Sequence, residues 1–326
     1  MNLCGRAAPI RLTGRGFDPL MRRMNRWQPA PHSDTSPVAW SQPAFEIRRA
    51  GGLDQPPPTP LVFASPHSGR LYPEDMDAAL DGVAIRRSED AYVDELVAAA
   101  PELGCTLITA RLARAYIDVN REPFELDPSM FADELPDFAR ARSARVQAGL
   151  GAIARVVSEG LEIYDRKLTF AEARARIEGA HGPYHAALAR LLGEAHAAHG
   201  MAILIDWHSM PAAAAKVGGR DGPCDMVLGD RYGASCSPVV TRSVEKALEA
   251  MGYRVARNAP YAGGYTTEHY GRPQRRTHAL QIEINRALYL DEATLELTSG
   301  FARLKADIEA LTAELAAADW SGLRGA

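Results

Sequence analysis

The stretch AILIDWHSMP, Ala202–Pro211, decides the fold. Its first half, with Ile203, Leu204 and Ile205 in succession, is an apolar run fit for a buried strand. The run then turns polar at Asp206-Trp207-His208-Ser209. Aspartate is depleted in strands and rarely buried unless paired, so packing alone does not account for Asp206. A strand ending this way delivers polar groups to the carboxyl edge of a sheet, where sites in α/β proteins gather.

Outward from this stretch the same pattern recurs. LVFAS (Leu61–Ser65), CTLITA (Cys105–Ala110), AYIDVN (Ala115–Asn120), DMVLG (Asp225–Gly229) and ALQIEIN (Ala279–Asn285) are short apolar runs expected as strands. Amphipathic segments separate them. Ser88 caps an expected helix whose Val93, Leu96, Val97 and Ala100 make one apolar stripe. Pro183 opens a helix that Gly200 closes, and Pro238 one that Gly252 closes, as the preference for Pro at the start and Gly past the end predicts. The alternation predicts an α/β sandwich with a partly or mostly parallel sheet, in one domain over residues 46–320.

Residues 1–45 carry Arg6, Arg11, Arg15, Arg22, Arg23 and Arg26 against Asp18 and Asp34, and are expected to be a disordered Arg-rich tail. A transit peptide, or a start at Met21 or Met24, are the other readings. Over all 326 residues the net charge is -4, which gives no pull toward nucleic acid or an anionic membrane. The four cysteines form no CxxC pair and point to a reducing compartment. No apolar run reaches the ~18 residues of a membrane span. The chain is expected in the cytoplasm, acting on a small molecule.

Three strands run into unusual polar sequence: LVFAS into Pro66-His67-Ser68-Gly69, AILID into Trp207-His208-Ser209, and ALQIEIN through Glu283 into Asn285-Arg286. His67 and His208, each just past an apolar run, are candidate metal ligands. Either alone reads more readily as a hydrogen-bonded core histidine than as a ligand; the repeated placement reverses this and favours a metal. A catalytic zinc site takes three protein ligands, and the third is open among Asp90, Glu89, Asp94 and Asp206. Alternation along the last strand puts Leu280, Ile282 and Ile284 on one face and Gln281, Glu283 and Asn285 on the other. That polar face is either a cleft, where Glu283 serves as a proton carrier, or the wet side of an edge strand. Arg111, Arg114 and Arg121 flank AYIDVNRE and Arg286 follows Asn285, which suits an anionic substrate. NAPYAGGYTTEHYG, Asn258–Gly271, has no phosphate-loop spacing and reads as a substrate loop, with Tyr265 its candidate contact.

Taken in order, SPHSG, YIDVNREP, PYH before a helix, LIDWHSM, GDRYG, NAPYAGGY and HALQIEINRALYLDE resemble the N-formylglutamate amidohydrolase family from about Leu61 to Glu292. The resemblance implies an α/β three-layer sandwich with a central mixed sheet, a zinc-carboxypeptidase or phosphorylase/hydrolase-like fold, and a single Zn2+ held by His67, Asp90 and His208. It implies Glu283 as general base and acid, with Arg114 helping at the oxyanion. Asn120, Arg121, Arg286 and Tyr265 would bind substrate, and Asp206 would steady His208. The HxxE pair of carboxypeptidases is absent, since Arg70 stands three residues after His67. The activity implied is zinc-dependent hydrolysis of N-formyl-L-glutamate to formate and L-glutamate, in histidine degradation. A deacylase for another N-acyl amino acid and a non-catalytic carboxylate-binding relative are the alternatives. Monomer and homodimer both stay open.

Overall fold

Ala202–Met210 forms the middle strand, β4, of a seven-stranded sheet in the computed structural model, which describes residues 42–157, 160–218 and 222–323. The other strands are β1 (Phe45–Arg48), β2 (Leu61–Ser65), β3 (Thr106–Ala110), β5 (Met226–Gly229), β6 (Val255–Arg257) and β7 (Thr277–Asn285), in the spatial order β1-β3-β2-β4-β7-β5-β6. The core strands β3, β2, β4 and β7 run parallel, while β1 is antiparallel to β3, and β5 to β7. The sheet is therefore mixed. The helices are α1 (Gly82–Arg86), α2 (Val93–Leu96), α3 (Ala144–Gln147), α4 (Phe170–Arg176), α5 (Gly182–His199), α6 (Ala212–Gly218), α7 (Pro238–Ala250), α8 (Tyr265–Tyr270) and α9 (Gly300–Ala317).

Every residue of β4 and β7 is buried, and the two-residue period of a strand sorts them between two layers. Ile203, Ile205 and Trp207 with Leu280, Ile282 and Ile284 pack against Val240, Val244 and Leu248 of α7 and Leu304, Ile308 and Leu311 of α9. On the opposite face Ala202, Leu204 and Ala279 meet Leu188, Leu191 and Ala195 of α5. Asp206, His208, Gln281 and Glu283 continue this second face. β7 is thus an interior strand and Glu283 is buried, so the polar row is not the wet side of an edge strand.

Two ends of the long helices follow the expected chemistry, but Pro183 opens no helix of its own, since the chain is already helical through Phe170–Arg176 and Ile177–His181. α5 ends at Gly200 in the left-handed region, φ 74°, and Ser237 accepts a hydrogen bond from Val239 N at the start of α7. Two further expectations fail. Ala115–Asn120 is no strand: Tyr116 and Ile117 sink into a second apolar cluster with Leu126, Ile153 and Leu168, and β1 takes the edge beside β3. The helix expected from Ser88 shrinks to one turn, Val93–Leu96, entered through Tyr92 at φ 63°, and Ser88 Oγ donates to Ile85 O instead of capping. Asp90 therefore precedes the helix. The Arg-rich leader lies outside the described residues as far as Ser41, and Phe45 opens β1. Among the described residues no helix is long and apolar enough to cross a membrane.

Candidate metal centre

His208 projects from β4 opposite Glu283 of β7, and Asp206 opposite Gln281, because the parallel register pairs these residues on one face. His67 lies two residues past β2, and its carbonyl accepts from Asp90 N at 3.0 Å, which ties the Asp90 loop to the strand end. His67, Asp90 and His208 form one buried cluster with candidate ligand atoms within 4.8 Å of one another. Asp90 Oδ2 lies 2.9 Å from His208 Nδ1 and 3.5 Å from His67 Nδ1. His67 Nδ1 is buried without a hydrogen-bond partner among the described residues.

The far nitrogen of each ring meets a second carboxylate. His67 Nε2 is 2.6 Å from Asp118 Oδ1, and His208 Nε2 is 3.1 Å from Asp206 Oδ2. A carboxylate that accepts Nε2–H leaves the Nδ1 lone pair facing inward, the arrangement by which proteins orient metal-binding histidines. Two imidazoles and a carboxylate with one orphaned ring nitrogen fit a borderline divalent ion such as zinc. The charges fit too. Asp90, Asp118, Asp206 and Glu283 outnumber Arg114, Arg121 and Arg286, an excess that a bound cation offsets. Burial opposes a charge on His208, yet Asp206, Asp90 and Glu283 outweigh it and hold this ring's pKa well above the usual value. Asp118 likewise overcomes burial through Arg114 and His67 and sits well below the ordinary carboxylate range.

Glu283 is pushed up to about 7, first by burial and further by Asp90, with His208, Arg114 and Arg286 pulling the other way. Gln281 Nε2 donates to Glu283 Oε1 at 2.7 Å and fixes its orientation. Arg114 Nη2 donates to Asp118 Oδ2 at 2.7 Å, and Nη1 lies 3.9 Å from Asp90 Oδ1. Arg286 spends its donors inside the protein, on Asp90 Oδ1 (3.0 Å), Ser209 Oγ (3.0 Å) and Arg87 O (3.4 Å). Asn120 is also engaged: Oδ1 accepts from Thr266 N at 2.8 Å, and Nδ2 stands 2.9 Å from His208 Nε2. Gly264 passes so close that a Cβ there would lie 2.5 Å from this amide.

Arg121 gives Nε to Leu150 O and Nη1 to Asn120 O, and among the described residues it forms no ion pair with a carboxylate. Tyr265, at the start of α8, stacks on His269 with centroids 5.1 Å apart and lies 5.3 Å from His185. Of the other carboxylates weighed as a ligand, Glu89 pairs with Tyr72 and Arg86, and Asp94 with Arg70. Asp90 alone meets both Nδ1 atoms. Sequence reasoning missed Asp118, although a carboxylate between Ile117 and Val119 is the same signal that singled out Asp206.

The N-formylglutamate amidohydrolase family matches residues 59–290. N-formylglutamate deformylase of Pseudomonas putida is 30% identical over 235 residues, 72% of this chain and 82% of that protein. The Pseudomonas aeruginosa deformylase is 30% identical over 237 residues, 72% of this chain and 83% of its own. Among solved structures, the N-formylglutamate amidohydrolase from Ralstonia eutropha JMP134 matches with a TM-score of 0.78 at 39% identity, over 84% of this chain and 97% of that one. A gene product from Agrobacterium tumefaciens shares the fold at a TM-score of 0.58 and 17% identity, over 83% and 93% of the two chains. The matched span contains His67, Asp90, His208 and Glu283, and the chain belongs to the N-formylglutamate amidohydrolase family, whose named relatives hydrolyse a linear amide.

Proposed function

We propose that the chain is a zinc-dependent N-formylglutamate deformylase, which hydrolyses N-formyl-L-glutamate to formate and L-glutamate in histidine degradation. The observation that carries this reading is the inward-facing pair of Nδ1 atoms on Asp90, each ring backed by its own carboxylate. His67, Asp90 and His208 would hold the ion and leave a position open. Zinc held there would polarise the formyl carbonyl and lower the pKa of water from 15.7 toward ~7. Glu283 takes a proton from the attacking water and delivers it to the leaving nitrogen, as the new C–O bond forms and the C–N bond breaks; a carboxyl near pH 7 suits both transfers. Arg114 donates to the developing oxyanion.

Arg121, a half-buried cation that forms no ion pair with a carboxylate among the described residues, takes a carboxylate of the substrate, with Tyr265 shaping the same end of the cleft. Arg286 and Asn120 are given to the protein side: Arg286 orients Asp90, and Asn120 Nδ2 donates to Asp206 Oδ2, the carboxylate behind His208. In this reading residues 46–320 form one catalytic domain of the zinc-carboxypeptidase-like class, working in the cytoplasm on a small anionic metabolite. The test is release of formate and glutamate from N-formyl-L-glutamate by zinc-loaded protein, with N-acetyl-L-glutamate and longer acyl glutamates beside it. Loss of turnover on chelation and its return with zinc are expected. A preference for a longer acyl group would replace the substrate assignment, and zinc-bound protein inert on the whole panel would refute the enzyme.

A further inference from the structure

The segment Tyr116–Arg121 carries Asp118 to His67 and Asn120 to Asp206 behind His208, yet among the described residues it pairs with no strand. Three of its carbonyls go to side chains of one helical rod instead. Arg176 Nη1 donates to Tyr116 O at 3.3 Å, His185 Nε2 meets Val119 O at 2.7 Å, and His181 Nε2 meets Arg121 O at 2.9 Å. All three donors are buried, at 1%, 3% and 0% exposure respectively. The rod is α4 and α5 joined by a π-turn, Ile177–His181, in which Gly182 N–H reaches back five residues to Ile177 O. In an unbroken α-helix His181 would stand about 140° round the axis from Arg176. The wider turn stacks residues five apart and so brings Arg176, His181 and His185 toward one side. π-turns of this kind gather at functional sites.

We infer that Arg176, His181 and His185 are positioning residues: by holding the carbonyls of Tyr116, Val119 and Arg121 they set Asp118 against His67, and Asn120 against Asp206, the carboxylate behind His208. The clamp continues into the next wall of the site. His185 Nδ1 lies 2.9 Å from the hydroxyl of Tyr270, at the end of the same helix α8 whose Thr266 N–H holds Asn120 Oδ1. One ring thus couples the Asp118–Asn120 segment to α8. Burial drives both histidines toward the neutral form, His181 to about 4, so each ring has one N–H to give a carbonyl.

The inference rests on the proposed metal role of His67 and His208, and reach separates the two in experiment. Glutamine places its amide nitrogen where Nε2 stands, whereas asparagine falls one bond short. His181→Asn and His185→Asn should weaken zinc binding by about tenfold or more, the scale on which partners of metal ligands act. They should also speed amide hydrogen exchange in residues 116–121 of the metal-free protein. His181→Gln and His185→Gln should restore both. Unchanged exchange over 116–121 in the folded Asn variants, or equal zinc losses in the Asn and Gln variants, would overturn the clamp. Failure of the wild type to bind zinc is the failure of the proposed function, and the exchange result then still decides the clamp.

Discussion

His67 Nε2 and Asp118 Oδ1 stand 2.6 Å apart in the protein interior, 51 residues distant in sequence. The same carboxylate takes Arg114 on its other oxygen and the Asn120 amide on this one, so its position is fixed from three sides. A carboxylate on the far nitrogen sets the ring's tautomer and its basicity toward a metal. Asp118→Ala should therefore weaken zinc binding by roughly 10–100-fold, while Asp118→Asn, which can still accept one hydrogen bond, should fall between it and wild type. Chelator competition reads both. Wild-type affinity in a folded Asp118→Ala protein would remove Asp118 from the site.

Glu283 lies across the β4–β7 register from His208 without joining the Nδ1 cluster. Glu283→Gln keeps the shape and cannot take a proton. Zinc content should stay and turnover should fall by ~10²–10⁴-fold, the ordinary worth of a placed acid-base group. The pH profile gives a second readout. Burial pushes this carboxyl up to about 7, a bound cation beside it pulls it down, and the base works only when ionised. The acid limb of kcat/KM should therefore fall at or below pH 7 in wild type and vanish from the residual activity of Glu283→Gln. An unchanged limb would assign it to another group.

His67, His208 and Glu283 were legible in the sequence because each breaks a pattern: two histidines follow apolar strands, and one carboxylate interrupts a row that alternation can sort. Asp90 was not separable from Glu89 or Asp94 by spacing, since a loop tied to His67 O, and not a helix turn, brings it in. Ala115–Asn120 has the composition of a strand, but its hydrogen-bond partners lie about 60 residues on, in side chains of a helical rod, and no local pattern reports them. The stripe Val93, Leu96, Val97 and Ala100 is real and all four are buried, yet the left-handed Tyr92 and the turns after Leu96 leave only one helical turn. Apolar periodicity reported the buried face correctly and the backbone wrongly.

Acid should unfold the metal-free protein partly through His181. Burial lowers its folded pKa to about 4, against about 6.5 for an unperturbed ring. Above pH 6.5 the ring is neutral in both states and adds no pH dependence. Between pH 6.5 and 4 the unfolded chain binds the extra proton, so stability falls as pH falls, by on the order of 3 kcal/mol in all. Below about 4 the loss is complete. In His181→Gln the urea midpoint should drop less steeply across that window. Parallel curves for variant and wild type would show that His181 does not titrate with unfolding.

Arg121 and Arg286 were both read from the sequence as substrate-binding groups, and their surroundings now predict different kinetics. Arg286 reaches Asp90 Oδ1 at 3.0 Å and Ser209 Oγ at 3.0 Å, whereas Arg121 spends two donors on carbonyls and meets no carboxylate of the protein among the described residues. Burial and the neighbouring Arg114 lower the Arg121 pKa, with Asp118 opposing, so this charge gains from an incoming anion. Removing one charge-assisted hydrogen bond costs about 1.5–3 kcal/mol, and 1.4 kcal/mol is one tenfold step. Arg121→Met should thus lower kcat/KM on N-formyl-L-glutamate by roughly ten- to a hundredfold, mainly through KM, at unchanged zinc affinity. The loss should shrink on whichever mono-amide of the substrate lacks the carboxylate that Arg121 holds. Arg286→Met should do the reverse: zinc binding weakens, and activity falls equally on the acid and on both amides, because Arg286 acts by holding Asp90 in place. An Arg121→Met loss that is the same on all three substrates would show that this cation supports the fold of the loop, and the carboxylate of the substrate would then have to be sought at another side chain.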